Sequence, residues 1–214
     1  MRIVTSRLAY DNHVIGLDQN MFEEGLRQIQ SGVALITWSR LASWDSQSLT
    51  LIPAQESDFE SHHRQVHSEF GRLLCWIAFG VGGEYLAKGA CILSGHLRPG
   101  PGDHIRLPSP GEDVESWVEL VNKNDSTIRE SELHFTTLGK LPVGKIPKLK
   151  QEQEFVTASI KLLASTIRNR DAHRYTRNVR AFHFHVVGSL FVPAFNILLA
   201  SLSEIDLRSH LPMS

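Results

Sequence analysis

Residues 151–170 read QEQEFVTASIKLLASTIRNR and carry a regular apolar repeat. The members of the repeat are separated by four, three and four residues, and they are Val156, Ile160, Leu163 and Ile167. This spacing places side chains on one face of an α-helix. We therefore predict a helix from Gln151 to about Arg170 whose apolar stripe faces the core.

A similar repeat lies near the start of the chain. A first helix is predicted to begin near Asp18 or Asn20, because both are good N-cap residues, and to fade near Trp44. Its stripe consists of Phe22, Leu26, Ile29, Val33 and Ile36. Residues 1–16 show no regular pattern and are predicted to be irregular or weakly extended.

A second helix is predicted over about Ser57 to Leu93. Its predicted core stripe is Val66, Phe70, Leu73, Ile77 and Val81. The same rhythm then reaches Glu84, Lys88 and Cys91, so a carboxylate and an ammonium take positions that the pattern assigns to the core. Gly80, Gly82, Gly83 and Gly89 either soften this half of the helix or let another backbone approach closely.

The remaining chain is predicted to contain helices joined by proline-rich segments. Residues 95–113 hold four prolines and read as a loop or insertion, a short helix follows at Val114 to Asn122, and residues 138–149 read as a connector. Pro193 should kink or split a last helical region from about Asn178 to Leu202. No series of strands is predicted. The fold class is therefore all-α, a helical bundle in a single domain over residues 1–214, with a Pro/Gly-rich loop or insertion around 95–149.

Composition and charge limit the classes of protein to which this chain can belong. The 214 residues are 42% apolar and 21% charged with a net charge of −1, which suits a globular protein and gives no overall sign of a nucleic-acid partner. Cys75 and Cys91 fall on nearly opposite faces of one predicted helix, so they cannot pair there, and a reducing compartment follows. The longest apolar run, residues 186–202, is short for a membrane span and has polar breaks. A cytoplasmic protein without a membrane helix is expected.

Positive charge is concentrated in residues 167–185, IRNRDAHRYTRNVRAFHFH. One acid, Asp171, stands among five arginines, which are Arg168, Arg170, Arg174, Arg177 and Arg180. Such a patch suits the neutralisation of phosphates. The alternative is a solvated basic helix end, where arginine interacts favourably with the helix dipole.

Within this segment lies the pattern Arg168-Asn169-x-x-x-His173. Asn169 and His173 share a face of a helix, whereas Arg168 and His173 diverge by ~140° on a straight one. A site containing both therefore needs a break in the helix or a second copy of the chain. Histidine with a near-neutral pKa and permanently charged arginine are a natural pair for phosphoryl chemistry.

The segment resembles the HEPN superfamily, whose signature is Arg, commonly followed by Asn or another polar residue, then His after four to six intervening residues. Arg168, Asn169 and His173 match this signature with four intervening residues. The string from Arg177 and Asn178 to His183 also fits, but the predicted helix 151–167 leads directly into the first copy. The motif-bearing resemblance covers about residues 151–204.

The resemblance implies a metal-independent endoribonuclease in which the 2′-hydroxyl of RNA attacks the adjacent phosphorus. His173 would serve as general base or acid, Arg168 would stabilise charge on the phosphate, and Asn169 would orient either group. The predicted RNA-binding residues are Arg170, Arg174, Arg177 and Arg180. DNA lacks the attacking hydroxyl and would not be cut.

The family also implies a setting and partners. Two motifs usually line one cleft in a homodimer. Residues 182–202 are apolar nearly all round, so either part of their surface supplies the contact or they form the central core helix of a monomer. A prokaryotic toxin or antiphage defence component is the implied setting. Tyr175 is either a packing residue or a site that a nucleotidyltransferase antitoxin modifies. No cofactor is expected, and the histidines His62, His63 and His67 have spacing that suits a metal poorly.

Glu84 is the remaining candidate site residue, and two interpretations stay open. It forms a buried ion pair with Lys88, or it reaches the Arg–His site. Rival functions also stay open. One is a non-catalytic HEPN module that binds nucleotide or RNA or mediates assembly, and the other is a helical scaffold subunit whose basic stretch contacts a protein.

Overall fold

The computed structural model describes residues 17–58, 69–97, 100–105, 108–134, 138–166 and 182–211. The chain divides into two compact units, residues 1–98 with 137–214 and residues 99–136. The helices are α1 Gln19–Trp38, α2 Glu69–Leu93, α3 Val114–Asn122, α4 Gln153–Leu163, α5 Phe182–Val186 and α6 Val192–Ala200. The strands are β1 Ala42–Asp45, β2 Thr50–Pro53, β3 Gly100–Ile105 and β4 Arg129–His134. The prediction of a mostly helical protein is confirmed, whereas the two strand pairs were not predicted.

Helix α1 begins where the sequence predicts, but it ends earlier than predicted. The Asp18 side chain accepts a hydrogen bond of 2.8 Å from the Met21 N–H, which caps the first turn. The helix stops at Trp38, and Arg40 follows in the left-handed region with φ of 62°. Trp44, where the helix was predicted to fade, instead lies in β1, which pairs antiparallel with β2. A left-handed residue breaks the helical hydrogen-bond series and turns the chain into this hairpin.

Helices α1 and α2 pack antiparallel at very short distance because glycines face each other. A Cβ atom built on Gly32 would lie 2.8 Å from the Gly82 carbonyl oxygen, and one on Gly89 would lie 2.8 Å from the Gly25 carbonyl oxygen. Both contacts are with backbone, which cannot give way as a side-chain end can. The sequence left open whether these glycines soften α2 or admit another backbone, and at Gly82 and Gly89 the second answer holds.

The core side of α2 differs from the predicted one. Trp76 and Phe79 are buried in an aromatic cluster with Phe191 and Phe195, and the Phe79 and Phe195 rings lie 5.7 Å apart. The predicted stripe of Leu73, Ile77 and Val81 is only half-buried. We call the Trp76–Phe79 side of α2 its inner side and the opposite side its outer side. The predicted stripe is regular, but it belongs to the outer side.

Residues 138–152 form part of the core and not a simple connector. The segment contains three short 3₁₀ helices, Leu138–Lys140, Val143–Lys145 and Pro147–Glu152. Pro142 precedes the second of them, and Pro147 is the first residue of the third. These tight turns bring alternating apolar side chains to one side, and the buried ones are Leu138, Leu141, Val143, Ile146 and Leu149. They pack on α4, whose predicted core residues Val156, Ile160 and Leu163 are all buried.

The last helical region is interrupted at Pro193, as predicted. Helix α5 passes into a π-helical turn, Val187–Phe191, and α6 then starts with Pro193 in its first turn, where the missing N–H costs least. The Asn196 side chain accepts a hydrogen bond from the Leu51 N–H at 2.7 Å and donates one to the Leu51 carbonyl at 2.9 Å. Helix α6 therefore satisfies backbone groups of β2 that do not pair with β1. The apolar residues Phe191, Phe195 and Leu198 are buried within this unit. The expectation that part of the apolar surface of residues 182–202 supplies a homodimer contact stays a prediction.

The second unit contains β3, α3 and β4. Strands β3 and β4 pair antiparallel from Gly100 opposite His134 to Ile105 opposite Arg129. Helix α3 lies between them in sequence and has the predicted bounds Val114 to Asn122. The predicted proline-rich loop therefore contains a strand.

Candidate functional site

The motif residues of the sequence lie in the part of the chain that the structure leaves undescribed, residues 167–181. The predicted catalytic residues Arg168, Asn169 and His173 fall there. So do the predicted RNA-binding and modification residues, Arg170, Arg174, Tyr175, Arg177 and Arg180. These assignments stay predictions, and so do those for His62, His63 and His67.

The helices on either side of this segment are both described, and both are anchored on the inner side of α2. Before the segment, α4 places Leu163 against Gly83, where an added Cβ would lie 2.6 Å from the Leu163 Cδ2 atom. After it, the Phe184 ring of α5 meets Trp76 edge-on with centroids 5.6 Å apart. Trp76 and Gly83 are seven residues apart, so they share a side of α2 about 10 Å apart along its axis. The chain thus leaves α2 before the motif segment and returns to the same side after it.

Both flanking helices depart from regular α-helical geometry near the segment. Residues 164–166 continue α4 as a π-helical turn, and Thr166 Oγ1 donates to the Leu162 carbonyl at 2.6 Å. The second π-helical turn follows α5, where Ser189 Oγ donates to the His185 carbonyl at 2.7 Å. Hydroxyls that bond to the backbone of the preceding turn relax helical hydrogen bonding and favour such widening. Turns of this kind recur at functional sites.

Glu84 and Lys88 form the ion pair that one of the two sequence interpretations predicted. Lys88 Nζ lies 2.5 Å from Glu84 Oε1, and their side chains are 11% and 14% exposed. Both groups are therefore largely withdrawn from water, and pairing lowers the cost of burying either charge. Glu84 follows Gly83 in the chain, but its side chain projects about 100° away from Gly83 around the helix axis. Whether its carboxylate also reaches the motif residues stays a prediction.

The thiols of the chain do not suit nucleophilic chemistry. Cys75 and Cys91 are both buried, and neither is part of a disulfide bond. Burial raises the pKa of Cys91 to about 12 and also raises the pKa of Cys75, so both sulfurs stay protonated near neutral pH. Among the described residues, no cluster of three or more His, Cys, Asp or Glu side chains is arranged to hold a metal ion.

His96 was not singled out from the sequence, although the structure gives it an unusual environment. It follows α2, and neither ring nitrogen has a hydrogen-bond partner within the described part of the chain. Burial lowers the pKa of His96, and the positive charge of Lys145 lowers it further. Both effects disfavour the charged form of the imidazole. A single histidine beyond the end of an apolar stripe carries no sequence signal that could have identified it.

An open cleft of about 550 Å³ lies between α1 and α2. Glu24 accepts from the Gln28 side-chain amide at 2.7 Å and pairs with Arg27 at 3.2 Å. Tyr85 of α2 forms the opposite wall. This cleft was not predicted from the sequence, because its polar residues interrupt no apolar stripe.

Comparisons with known proteins give no family to which the chain can be assigned. No family model, curated protein or solved structure matches it. Among the described residues, no helix has both the length and the apolar character needed to cross a membrane.

Proposed function

We propose that this protein is a metal-independent endoribonuclease of the HEPN type whose site is built from residues 167–181. The supporting observation is the way this segment is held. Its two flanking helices both pack on the inner side of α2, at Gly83 and at Trp76. Two fixed ends on one rigid helix are a suitable frame for a short catalytic segment, because they restrict where its side chains can lie.

The proposed reaction is an internal transfer of the phosphoryl group. His173 takes the proton from the 2′-hydroxyl, and the 2′-oxygen forms a bond to the adjacent phosphorus. The bond from phosphorus to the 5′-oxygen breaks, and that oxygen receives a proton from an acid, which is His173 of the second copy or water. The products are a 2′,3′-cyclic phosphate and a 5′-hydroxyl. Arg168 stabilises the charge that builds up on the phosphate oxygens.

The other candidate residues have supporting roles in this proposal. Asn169 orients His173 or the phosphate, and Arg170, Arg174, Arg177 and Arg180 neutralise RNA phosphates on either side of the cut. Glu84 reaches the Arg–His site while it is paired with Lys88. A homodimer completes the site by bringing two motifs together.

The biological setting that fits such an enzyme is a prokaryotic toxin or antiphage defence component. An RNase without a metal requirement needs restraint in its own cell, which an antitoxin would supply. Modification of Tyr175 by a nucleotidyltransferase partner would add bulk and negative charge beside His173, and both would hinder RNA binding.

The test uses purified protein, a mixture of RNAs and a chelator in excess. Wild type should cut, whereas His173→Ala and Arg168→Ala should lose at least about 100-fold in rate. His185→Ala is the matched control, because His185 is an exposed histidine on α5 and should keep wild-type activity. Far-UV circular dichroism should show unchanged helicity in all variants. Wild-type rates in His173→Ala would contradict the site.

Binding without cleavage is the outcome that favours the non-catalytic alternative. In that case wild type and His173→Ala should bind RNA equally, and neither should release fragments. Loss of salt dependence on changing Arg170, Arg174, Arg177 and Arg180 to Gln would still place the phosphate contacts in the basic segment. An unchanged salt dependence would make the segment a solvated helix end.

A further inference from the structure

The wall of the cleft between α1 and α2 contains a buried hydrogen-bond acceptor that is left unused. The Gln28 side chain lines the cleft, and the residue is only 8% exposed. Its Oε1 atom has no hydrogen-bond partner among the described residues. Buried polar atoms are nearly always paired, because an unpaired one keeps the cost of losing water without any return. A molecule that enters the cleft with a donor group would remove this cost.

The orientation of the Gln28 amide is fixed by Glu24, one turn earlier on α1. Gln28 Nε2 donates to Glu24 Oε1 at 2.7 Å. If the amide were turned round, its oxygen would face the carboxylate oxygen, and two acceptors would meet without a proton between them. The amide nitrogen is therefore used within the wall, and the amide oxygen is the atom left for a ligand.

The charge at this end of the cleft is negative and weakly compensated. Glu24 has a side chain that is 12% exposed, and it pairs at 3.2 Å with Arg27, whose side chain is 67% exposed. An ion pair with such an exposed arginine contributes little, and the long side chain can turn into water at small cost. A cation from outside can therefore replace Arg27 beside the carboxylate. A protonated amine suits the position, because it carries both a positive charge and several N–H donors.

The length of the cleft indicates what the rest of the ligand looks like. Its α1 wall runs from Glu24 to Leu35, which is about three helical turns or ~16 Å. The far end is apolar and consists of Ala34 and Leu35. Tyr85 forms the opposite wall and offers an aromatic ring to methylene groups or to a cation. A volume of about 550 Å³ is typical of a small-molecule site.

We propose that this cleft binds a primary amine on an aliphatic stem. The ammonium group donates to the Glu24 carboxylate and to Gln28 Oε1, Arg27 turns out into water, and the stem extends towards Leu35. A carboxylate or phosphate ligand would be repelled by Glu24. The site is separate from the proposed RNase site, because Tyr85 projects about 200° away from Gly83, the anchor of α4, around the axis of α2.

The first experiment is an NMR titration of the backbone amides with pentylammonium at neutral pH. Binding should have a dissociation constant of about 1 mM or tighter, and the shifts should be concentrated in residues 24–35 and at Tyr85. Pentanol has the same stem without the charge and should bind at least about tenfold more weakly. Pentanoate should not bind. Equal binding of pentanol, tighter binding of pentanoate, or shifts spread over the whole surface would overturn the proposal.

The second experiment repeats the titration with variants of the polar end. Glu24→Gln and Gln28→Leu should each weaken binding at least about tenfold, because each removes an acceptor for the ammonium group. Glu23→Gln is the matched control, since it makes the same charge change at an exposed neighbouring residue and should bind like wild type. Equal weakening in Glu23→Gln and Glu24→Gln would mean general attraction to an acidic helix and would overturn the site.

Arg27→Ala gives a test that does not depend on altering the buried wall. Arg27 is exposed, so the variant should fold like wild type. It should bind pentylammonium more tightly, because the competing cation is gone. Weaker binding would mean that Arg27 holds the ligand, and this would overturn the proposal.

A last arm of the experiment distinguishes a free amine from a lysine side chain of another protein. Nα-acetyl-lysine N-methylamide carries the same ammonium group and stem on a peptide backbone. The small-molecule site predicts that it binds more weakly than pentylammonium, because the backbone adds polar bulk towards the apolar end. Tighter binding of the lysine derivative would overturn the small-molecule assignment.

Discussion

On its inner side, helix α2 buries Trp76 and Phe79 in an aromatic cluster, whereas on its outer side Leu73, Ile77 and Val81 keep part of their surface exposed. Both sides are apolar, and the outer side has the more regular spacing. The inner side is where α4, α5 and α6 pack. Periodicity therefore identifies residues that share a side of a helix, while the rest of the chain decides which side is covered.

The largest expected effect is a difference in stability between a variant on the inner side of α2 and one on the outer side. Phe79→Ala should lower the free energy of unfolding by about 3–5 kcal/mol, because it leaves a cavity among Trp76, Phe191 and Phe195. Val81→Ala on the outer side should cost less than about 1.5 kcal/mol at a concentration where the protein is monomeric. Urea unfolding measures both. Equal losses would mean that the outer side is core as well.

A second prediction concerns the line between the two sides, where α2 meets α1. Gly82→Ala should destabilise by about 1–3 kcal/mol, because its Cβ would lie 2.8 Å from the Gly32 carbonyl oxygen and force the helices apart. Gly188→Ala is the control, because its Cβ would meet only Pro53 at an ordinary 3.8 Å. Thermal unfolding should lower the midpoint for Gly82→Ala alone. A stable Gly82→Ala would show that the helix contact is loose.

The third prediction asks what the ion pair on α2 contributes. Lys88→Met leaves the Glu84 carboxylate mostly buried and should cost about 1–3 kcal/mol, while Glu84→Gln with Lys88→Met should recover most of this loss. A double-mutant cycle in urea gives the coupling between the two groups. RNase assays of Glu84→Gln then distinguish a purely structural ion pair from a role of Glu84 in the Arg–His site. A stable variant with reduced cleavage would support its place in the site, and unchanged cleavage would leave it structural.

The smallest effect is expected at His96, beyond the end of α2. Its pKa is lowered in the folded state by burial, with Lys145 adding to the effect, so acid favours the unfolded chain. The stability that this group contributes is present above its unfolded pKa of about 6.5 and is lost as the pH falls through the folded value. When the pH falls from 7.5 to 5.5, the free energy of unfolding measured with urea should therefore decrease less for His96→Leu than for wild type. Parallel losses would mean that other groups set the pH dependence.

Several parts of the fold follow from local sequence. The Asp18 cap, the bounds of α3 and the interruption at Pro193 depend on neighbours within a few residues, and each was predictable. The strand pair β1–β2 was not, because it needs the left-handed Arg40 and the distant Asn196 at the Leu51 backbone. Pro142 and Pro147 suggested a connector, yet the 3₁₀ turns around them bury five apolar side chains.

The candidate site also combines features that local sequence predicts with features that depend on distant parts of the chain. Spacing alone identified Glu84 and Lys88 as unusual polar residues on an apolar helix, and the structure brings them together. Sequence could not identify the anchors at Gly83 and Trp76, because they depend on how α4 and α5 pack over a long separation in the chain. The cleft between Gln28 and Tyr85 depends in the same way on the glycine contacts of α1 with α2.

The most direct measurement of the proposed activity compares two matched oligonucleotides in chelator. One is RNA throughout, and the other has a single 2′-deoxy nucleotide on the 5′ side of the cut. Wild-type protein should cut only the first, leaving a 2′,3′-cyclic phosphate and a 5′-hydroxyl, because the 2′-oxygen is the nucleophile. Cleavage of both at equal rates, or cleavage that requires added metal, would contradict the account.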